Sequence, residues 1–258
     1  MKGIEYAILR QGMGVKQLSD DAYGPWYFSV LVKHPDAGYF LYDAGVGPGD
    51  DTFRRPESHM QFGLLSIPRE EYLDKALPAL GVSPEEIRAI VVSHCHWDHI
   101  GGLCFFKGTP AIRNVYVPEE DFKLGLFRSH CTAKGYSEPC DFYYRWNFDV
   151  EGAEFHAIRE DVSLFPDVEF KLLKGHTPGT LAMILHLENR TVIFPSDTIP
   201  RRENYEDPEH NIHPTTIDPD AFRESVRIVK ALEKKYDAQI IFPHDDGPYL
   251  GYSPKFEK

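Results

Sequence analysis

Three histidines and an aspartate fall between positions 94 and 99, in His94-Cys95-His96-Trp97-Asp98-His99, and Ile100-Gly101-Gly102 follows at once. Neutral imidazole nitrogen and carboxylate oxygen are the donors that a borderline divalent ion accepts. Four of them this close predict a metal centre rather than a group of polar loop residues that happen to be neighbours. The apolar run 87–92 directly before the cluster reads as a strand, which puts the cluster on the loop at its carboxyl end. Open α/β sheets carry their sites at such ends. Alternation along an extended segment turns Cys95 away from His94 and His96.

Three later positions repeat the arrangement of a ligand-type side chain after an apolar strand. They are His176 in Lys174-Gly175-His176-Thr177-Pro178-Gly179, Asp197 in Phe194-Pro195-Ser196-Asp197, and His244 in Phe242-Pro243-His244-Asp245. Each alone could be an ordinary hydrogen-bonded residue. Together with the first cluster they give five histidines and two aspartates, a set that suits two ions sharing a carboxylate and a hydroxide. Asp43 ends another strand before Gly45, Gly47 and Gly49. It is either part of an ordinary turn or a carboxylate that steadies a ligating histidine from behind.

The elements that must position these residues follow from pattern. Residues 4–9, 27–33 and 39–43 are β-rich runs broken by Gly24-Pro25, His34-Pro35-Asp36 and Gly38. Residues 54–66 read as a loop, and its His59 is left without a role. An amphipathic helix begins near Pro68 and stops at Gly81, and Ser83-Pro84-Glu85-Glu86 opens a short helical turn with Ser83 as its cap. A strand over 114–117 leads into a helix at Pro118 whose first turn is acidic. Residues from about 126 to 161 show no clean period and hold many aromatics. They read as an insertion that covers the site, as a wall for substrate or simply packed down. Strands over 168–173, 181–187 and 191–194 follow, the last two joined by a turn at Glu188-Asn189-Arg190. Asp218 then caps a long helix with Pro219 at its first position, and a strand over 239–242 runs into His244. No internal repeat or low-complexity linker divides the chain, so residues 1–258 are expected to form one domain.

Composition narrows the function classes. A formal charge of −12 argues against nucleic acid or an anionic membrane surface as partner. No apolar run reaches transmembrane length and the first ten residues do not read as a signal peptide. The four cysteines form no CxxC pair, which predicts reduced thiols and a cytoplasmic protein.

The ordered set His-x-His-x-Asp-His, then His176, Asp197 and His244, resembles that of metallo-β-lactamase superfamily hydrolases over nearly the whole length. The resemblance implies a four-layer αββα sandwich, an α/β fold of two mixed sheets with helices outside. It also implies a ligand assignment: His94, His96 and His176 on one divalent ion, Asp98, His99 and His244 on the other, with Asp197 bridging. Zinc is the expected metal; manganese, iron and cobalt accept the same donors. Lys174-Gly175-His176-Thr177-Pro178-Gly179, the stretch from Ser196 through Arg201, Arg202, Asn204 and Tyr205, and Ile217-Asp218-Pro219 bring the chain nearest to the N-acyl homoserine lactonases and related small lactonases.

That group implies opening of a lactone ring by a bridging hydroxide, with Asp98 as the catalytic proton carrier, and a homodimer. Activity of this kind on N-acyl homoserine lactones is quorum quenching. The lactonases carry a tyrosine three residues after the bridging aspartate, and here that position is Pro200, so Tyr205 is the candidate to supply a hydroxyl. Four other readings compete. A glyoxalase-II-like thioesterase would need a helical substrate domain, and a phosphodiesterase would need more basic residues than Arg201-Arg202. A flavodiiron-type oxidoreductase would need an acid at His96. A non-catalytic ligand-binding scaffold is disfavoured because every ligand position is filled.

Overall fold

The computed structural model describes residues 3–15, 26–48, 64–131, 142–245 and 253–258. Strands β1 (Glu5–Val15), β2 (Trp26–His34) and β3 (Gly38–Tyr42) form an antiparallel meander, and β4 (Leu64–Ser66) pairs with the far end of β1. Strands β5 (Ile87–Val91), β6 (Val115–Pro118) and β7 (Phe155–Ile158) add in parallel, giving the order β4-β1-β2-β3-β5-β6-β7. The second sheet runs β12-β11-β10-β9-β8. Its strands β8 (Val162–Phe165), β9 (Val168–Leu173), β10 (Thr180–His186) and β11 (Thr191–Phe194) are antiparallel, and β12 (Gln239–Ile240) lies parallel to β11.

Period-two alternation sorts each strand's side chains between two cores. Tyr6, Ile8, Val30, Val32, Phe40, Tyr42 and Val91 of the first sheet meet Val168, Phe170, Leu181, Met183, Leu185 and Phe194 of the second. Their neighbours Leu9, Leu31, Leu41 and Ile90 face the other way, onto α1 (Leu73–Ala79) through Leu73 and Leu77 and onto the turns carrying Leu103 and Phe106. On the far side of the second sheet, Ala182, Ile184 and Ile193 pack against Phe222, Val226 and Val229. Those three belong to the eighteen-residue helix Pro219–Tyr236, whose cap Asp218 accepts from the backbone N–H of Asp220 and Ala221. The layers are therefore helix, sheet, sheet, helix, the αββα sandwich expected. Among the described residues no helix is long and apolar enough to cross a membrane.

Several boundaries differ from expectation. Strand β1 continues past Leu9 to Val15 through a register shift between Arg10 and Met13, where Gly12 has a φ of 80°. The bulge brings Gln11 Oε1 to 2.9 Å from the amide of Val46 and braces the loop after Asp43. The stretch read as loop over 54–66 ends in β4, and β8 was not anticipated; both are short, so little alternation marks them. His59, Tyr136 and Cys140 lie outside the described residues. The aromatic segment 126–161 is bounded by regular structure, with the end of the helix Glu119–His130 at one side and β7, an edge of the first sheet, at the other. Cys95, Cys104 and Cys131 are free thiols.

Candidate metal centre

The seven predicted ligand residues converge at one end of the sandwich. The loop after β5 carries His94 and His96, and the one-turn helix α2 (Trp97–Ile100) carries Asp98 and His99. His176 follows β9, Asp197 follows β11 and His244 follows β12. All seven are buried. They form two groups, His94/His96/His176 and Asp98/His99/Asp197/His244, and within each the donor atoms lie within 4.8 Å of one another.

In the first group His94 Nε2, His96 Nδ1 and His176 Nε2 stand 3.0–3.1 Å apart. Three ring nitrogens aimed at one point cannot satisfy one another with hydrogens, since a neutral imidazole has one donor and one acceptor. A tetrahedral ion with arms of about 2.0–2.1 Å sets its ligands about 3.4 Å apart, so the spacing fits such an ion after a small relaxation. Protonation agrees. Burial, with the neighbouring histidines, pushes His94 and His96 well below the ordinary imidazole range, and burial takes His176 to about 4. Each ring therefore offers a lone pair at neutral pH.

The second group is held differently. His99 Nε2 is buried without a hydrogen-bond partner among the described residues, 3.5 Å from Asp98 Oδ2 and 3.4 Å from Asp197 Oδ1. His244 Nε2 lies 3.0 Å from Asp197 Oδ1. Burial alone would lower His99 and His244, but the carboxylates raise both, His99 most through Asp98 and Asp197 and His244 through Asp197. Asp197 is drawn well below the carboxylate range: burial opposes this, and His244 and His99 outweigh it. Its Oδ2 also lies 3.6 Å from His176 Nε2, so the carboxylate stands between the two groups.

This contrast gives a signed pH dependence. His176 binds no proton between about 4 and 6.5 when folded, whereas an unfolded imidazole does. Its contribution to stability is full above pH 6.5 and is lost as pH falls to about 4. The first group is thus ready for an ion at neutral pH, while at the second the carboxylates strengthen the hold of His99 and His244 on their protons, which an ion must displace. Calorimetric titration of metal-free protein near pH 7, repeated in buffers of different ionisation enthalpy, should show proton release with ion uptake at the second group and almost none at the first.

Outer partners fix the ring orientations. Asp43 sits in a left-handed conformation (φ 64°) at the end of β3. Its Oδ2 accepts from His99 Nδ1 at 2.8 Å and from Ser93 Oγ at 2.9 Å, and its Oδ1 accepts the Ser93 amide at 2.6 Å. That contact with His99 is the one the sharper of its two expected roles requires. Asp43→Ala should weaken the ion at the His99 group about 10–100-fold, as loss of such partners does. Chelator competition with each equivalent of metal checks this, the His94/His96/His176 group serving as internal control.

Some contributors were not anticipated. Asp121, expected only as a first-turn acid, is fully buried; it accepts the Cys95 amide at 2.6 Å and the Tyr143 hydroxyl at 2.6 Å. It thereby ties the ligand loop to the helix Glu119–His130. Cys95 points into the core between the first sheet and α1, with Leu41, Leu73 and Leu103, and not at the ligand nitrogens, as alternation predicted. Thr215 Oγ1 meets His176 Nδ1 at 3.1 Å. The aromatic segment docks on the ligand loop: the Trp97 amide donates to the Phe142 carbonyl at 2.9 Å, and the rings of Phe142 and Tyr143 lie 4.9 and 4.8 Å from that of His96.

Tyr205 is placed elsewhere. Its ring packs with Ile199, Phe222 and Phe242, and its hydroxyl donates to Glu233 at 2.5 Å. Burial and Glu233 raise its pKa, so the hydroxyl is committed away from the ligand cluster. Pro200 is buried, and its carbonyl accepts the amide of His244 at 2.9 Å.

The fold and the ligand order match a known family: the model of the metallo-beta-lactamase superfamily aligns with residues 27–245. The chain belongs to that superfamily. Among curated proteins it is 26% identical over 183 residues to the N-acyl homoserine lactonase AiiA of Bacillus thuringiensis subsp. kurstaki, a match spanning 70% of this chain and only 65% of the relative. It is 22% identical over 242 residues to the lactonase AttM of Agrobacterium fabrum, covering 88% and 85%. Among solved structures, an N-acyl homoserine lactone hydrolase with N-hexanoyl-L-homoserine at its catalytic metal centre superposes with a TM-score of 0.78, at 20% identity and 98% coverage of both chains. The dizinc lactonase AidC gives 0.70 at 19% identity, covering 96% and 90%.

Proposed function

We propose that this chain is a dinuclear-metal-dependent hydrolase that opens lactone rings, with N-acyl homoserine lactones or similar small lactones as substrates. The observation that carries the reading is the pair of buried donor groups with the Asp197 carboxylate between them. Similarity to lactonases in sequence and fold supports the substrate class. Quorum quenching would follow from that substrate. His94, His96 and His176 would hold one divalent ion and Asp98, His99 and His244 the other, with Asp197 bridging. The all-nitrogen-and-oxygen donor set suits zinc, and also manganese, iron or cobalt. One 258-residue domain, a homodimer and a cytoplasmic location complete the proposal.

When bound, the two ions supply Lewis acidity, activating water near neutral pH and taking up charge on the carbonyl and leaving oxygens. Asp98 is buried in the second group, its Oδ2 3.5 Å from His99 Nε2. It accepts a proton from the attacking water as the new C–O bond forms and passes it to the ring oxygen as the acyl C–O bond breaks. One water is consumed and one hydroxy acid results. Asp43 and Ser93 keep the donors aimed, and burial of the ligands keeps bulk water from them.

Metal analysis of purified protein, followed by a panel of lactones, thioesters and phosphodiesters, tests the proposal. Two equivalents of metal and turnover confined to lactones are expected. Full activity after chelation, or preference for thioesters or phosphodiesters, overturns it.

A further inference from the structure

We propose that His213 is a further substrate-binding residue of this site, its Nε2–H donating to the carbonyl oxygen of the lactone. The inference rests on the hydrolase reading above. A short relay determines which nitrogen carries the hydrogen. His176 aims Nε2 at His94 and His96, so that nitrogen holds the lone pair and Nδ1 carries the hydrogen. Nδ1 then donates to Thr215 Oγ1 at 3.1 Å. The single hydroxyl hydrogen of Thr215 is directed to its other neighbour, His213 Nδ1, at 2.7 Å. The Thr215 backbone amide, which can only donate, faces the same Nδ1 at 3.4 Å. His213 Nδ1 is therefore the acceptor, and in a neutral ring the hydrogen must be on Nε2.

That donor has a place to act. His213 is half-buried, and the single hydroxyl of Thr215 separates its ring from that of His176, at 2.7 and 3.1 Å. Burial holds its pKa at about 4, so the ring is a neutral hydrogen-bond donor at working pH. No protein group takes the Nε2 hydrogen among the described residues. A neutral donor held through Thr215 next to His176 suits an oxygen that gains negative charge during attack, because its tautomer is fixed before the charge develops. Thr215 is then a positioning residue that acts through both rings.

The test uses the full metal-loaded chain. Long-range nitrogen–proton spectra of histidine-labelled protein should show His213 unprotonated at Nδ1, and Thr215→Val should lose that fixed tautomer. On a lactone that the wild type opens, His213→Phe should lower kcat about 10²-fold with KM nearly unchanged, as loss of one such donor does. Metal content and melting temperature should stay unaltered, and His213→Gln, which can still donate, should recover part of kcat. A protonated Nδ1, or a His213→Phe enzyme with wild-type kcat, overturns the inference while leaving the lactonase reading intact. A wild type that binds two ions and opens no lactone overturns both.

Discussion

Asp197→Ala is expected to lower turnover on the order of 10⁴-fold and to leave the protein unable to hold two ions together. The size follows from the position of the carboxylate. Its two oxygens are within 3.0–3.6 Å of His244, His99 and His176 nitrogens, so a single truncation removes a donor from the second group and the carboxylate that links it to His176 of the first. It also removes an anion that favours the charged forms of His99 and His244 in the metal-free protein. Their pKa values should fall, and proton release on ion uptake at the second group should shrink. Elemental analysis with the same calorimetric titration separates this from simple unfolding, since a folded Asp197→Ala protein should keep some affinity at the intact His94/His96/His176 group. Two tightly held ions in the variant would contradict the bridging role.

The parts of this site that were legible in the sequence share one property: a polar residue at the end of a recognisable strand. His94, His176, Asp197, His244 and Asp43 all stand where an apolar run stops, and the sheets bring those ends together. Apolar runs marked the central strands because both of their faces are buried against different layers, as Leu31 and Val32 illustrate by facing different cores. Asp121 and Thr215 carried no such mark. An acid in a helix's first turn is ordinarily a solvated partner of the helix dipole, and only the fold reveals that this one faces the Cys95 amide. Tyr205 was misplaced for a related reason. Proximity in sequence to Asp197 suggested a hydroxyl at the site, but the short helix Arg202–Glu206 presents the ring to Phe222, Phe242 and Glu233 on the far side of the second sheet. Edge strands such as β4 and β8 gave too few residues for a pattern.

Gly102→Ala should be the most damaging substitution that touches no ligand. The two loops that meet at His99 are laced through backbone: the amides of Ala44 and Gly45 both donate to the His99 carbonyl, at 2.7 and 3.1 Å, and the Gly102 amide returns a bond to the Gly45 carbonyl at 2.9 Å. A Cβ on Gly102 would stand 2.1 Å from the carbonyl oxygen of Ala44 and 3.1 Å from its carbon. Carbon–oxygen contacts normally begin at about 3.3 Å. The obstacle is backbone rather than a side chain that can swing aside, so one loop must move by more than an ångström. Moving it separates Asp43 from His99 and opens the bonds just named. The expected loss is about 3 kcal/mol or more, which for a chain of this size lowers the melting temperature by about 6–12 °C. The metal consequence should be selective: the ion at His99 is weakened together with Asp43's grip, and the ion at His94, His96 and His176 much less. Thermal melts with chelator competition read both effects. Equal weakening of the two ions would mean that the strain spreads through the whole 94–99 loop instead of stopping at the Asp43–His99 contact.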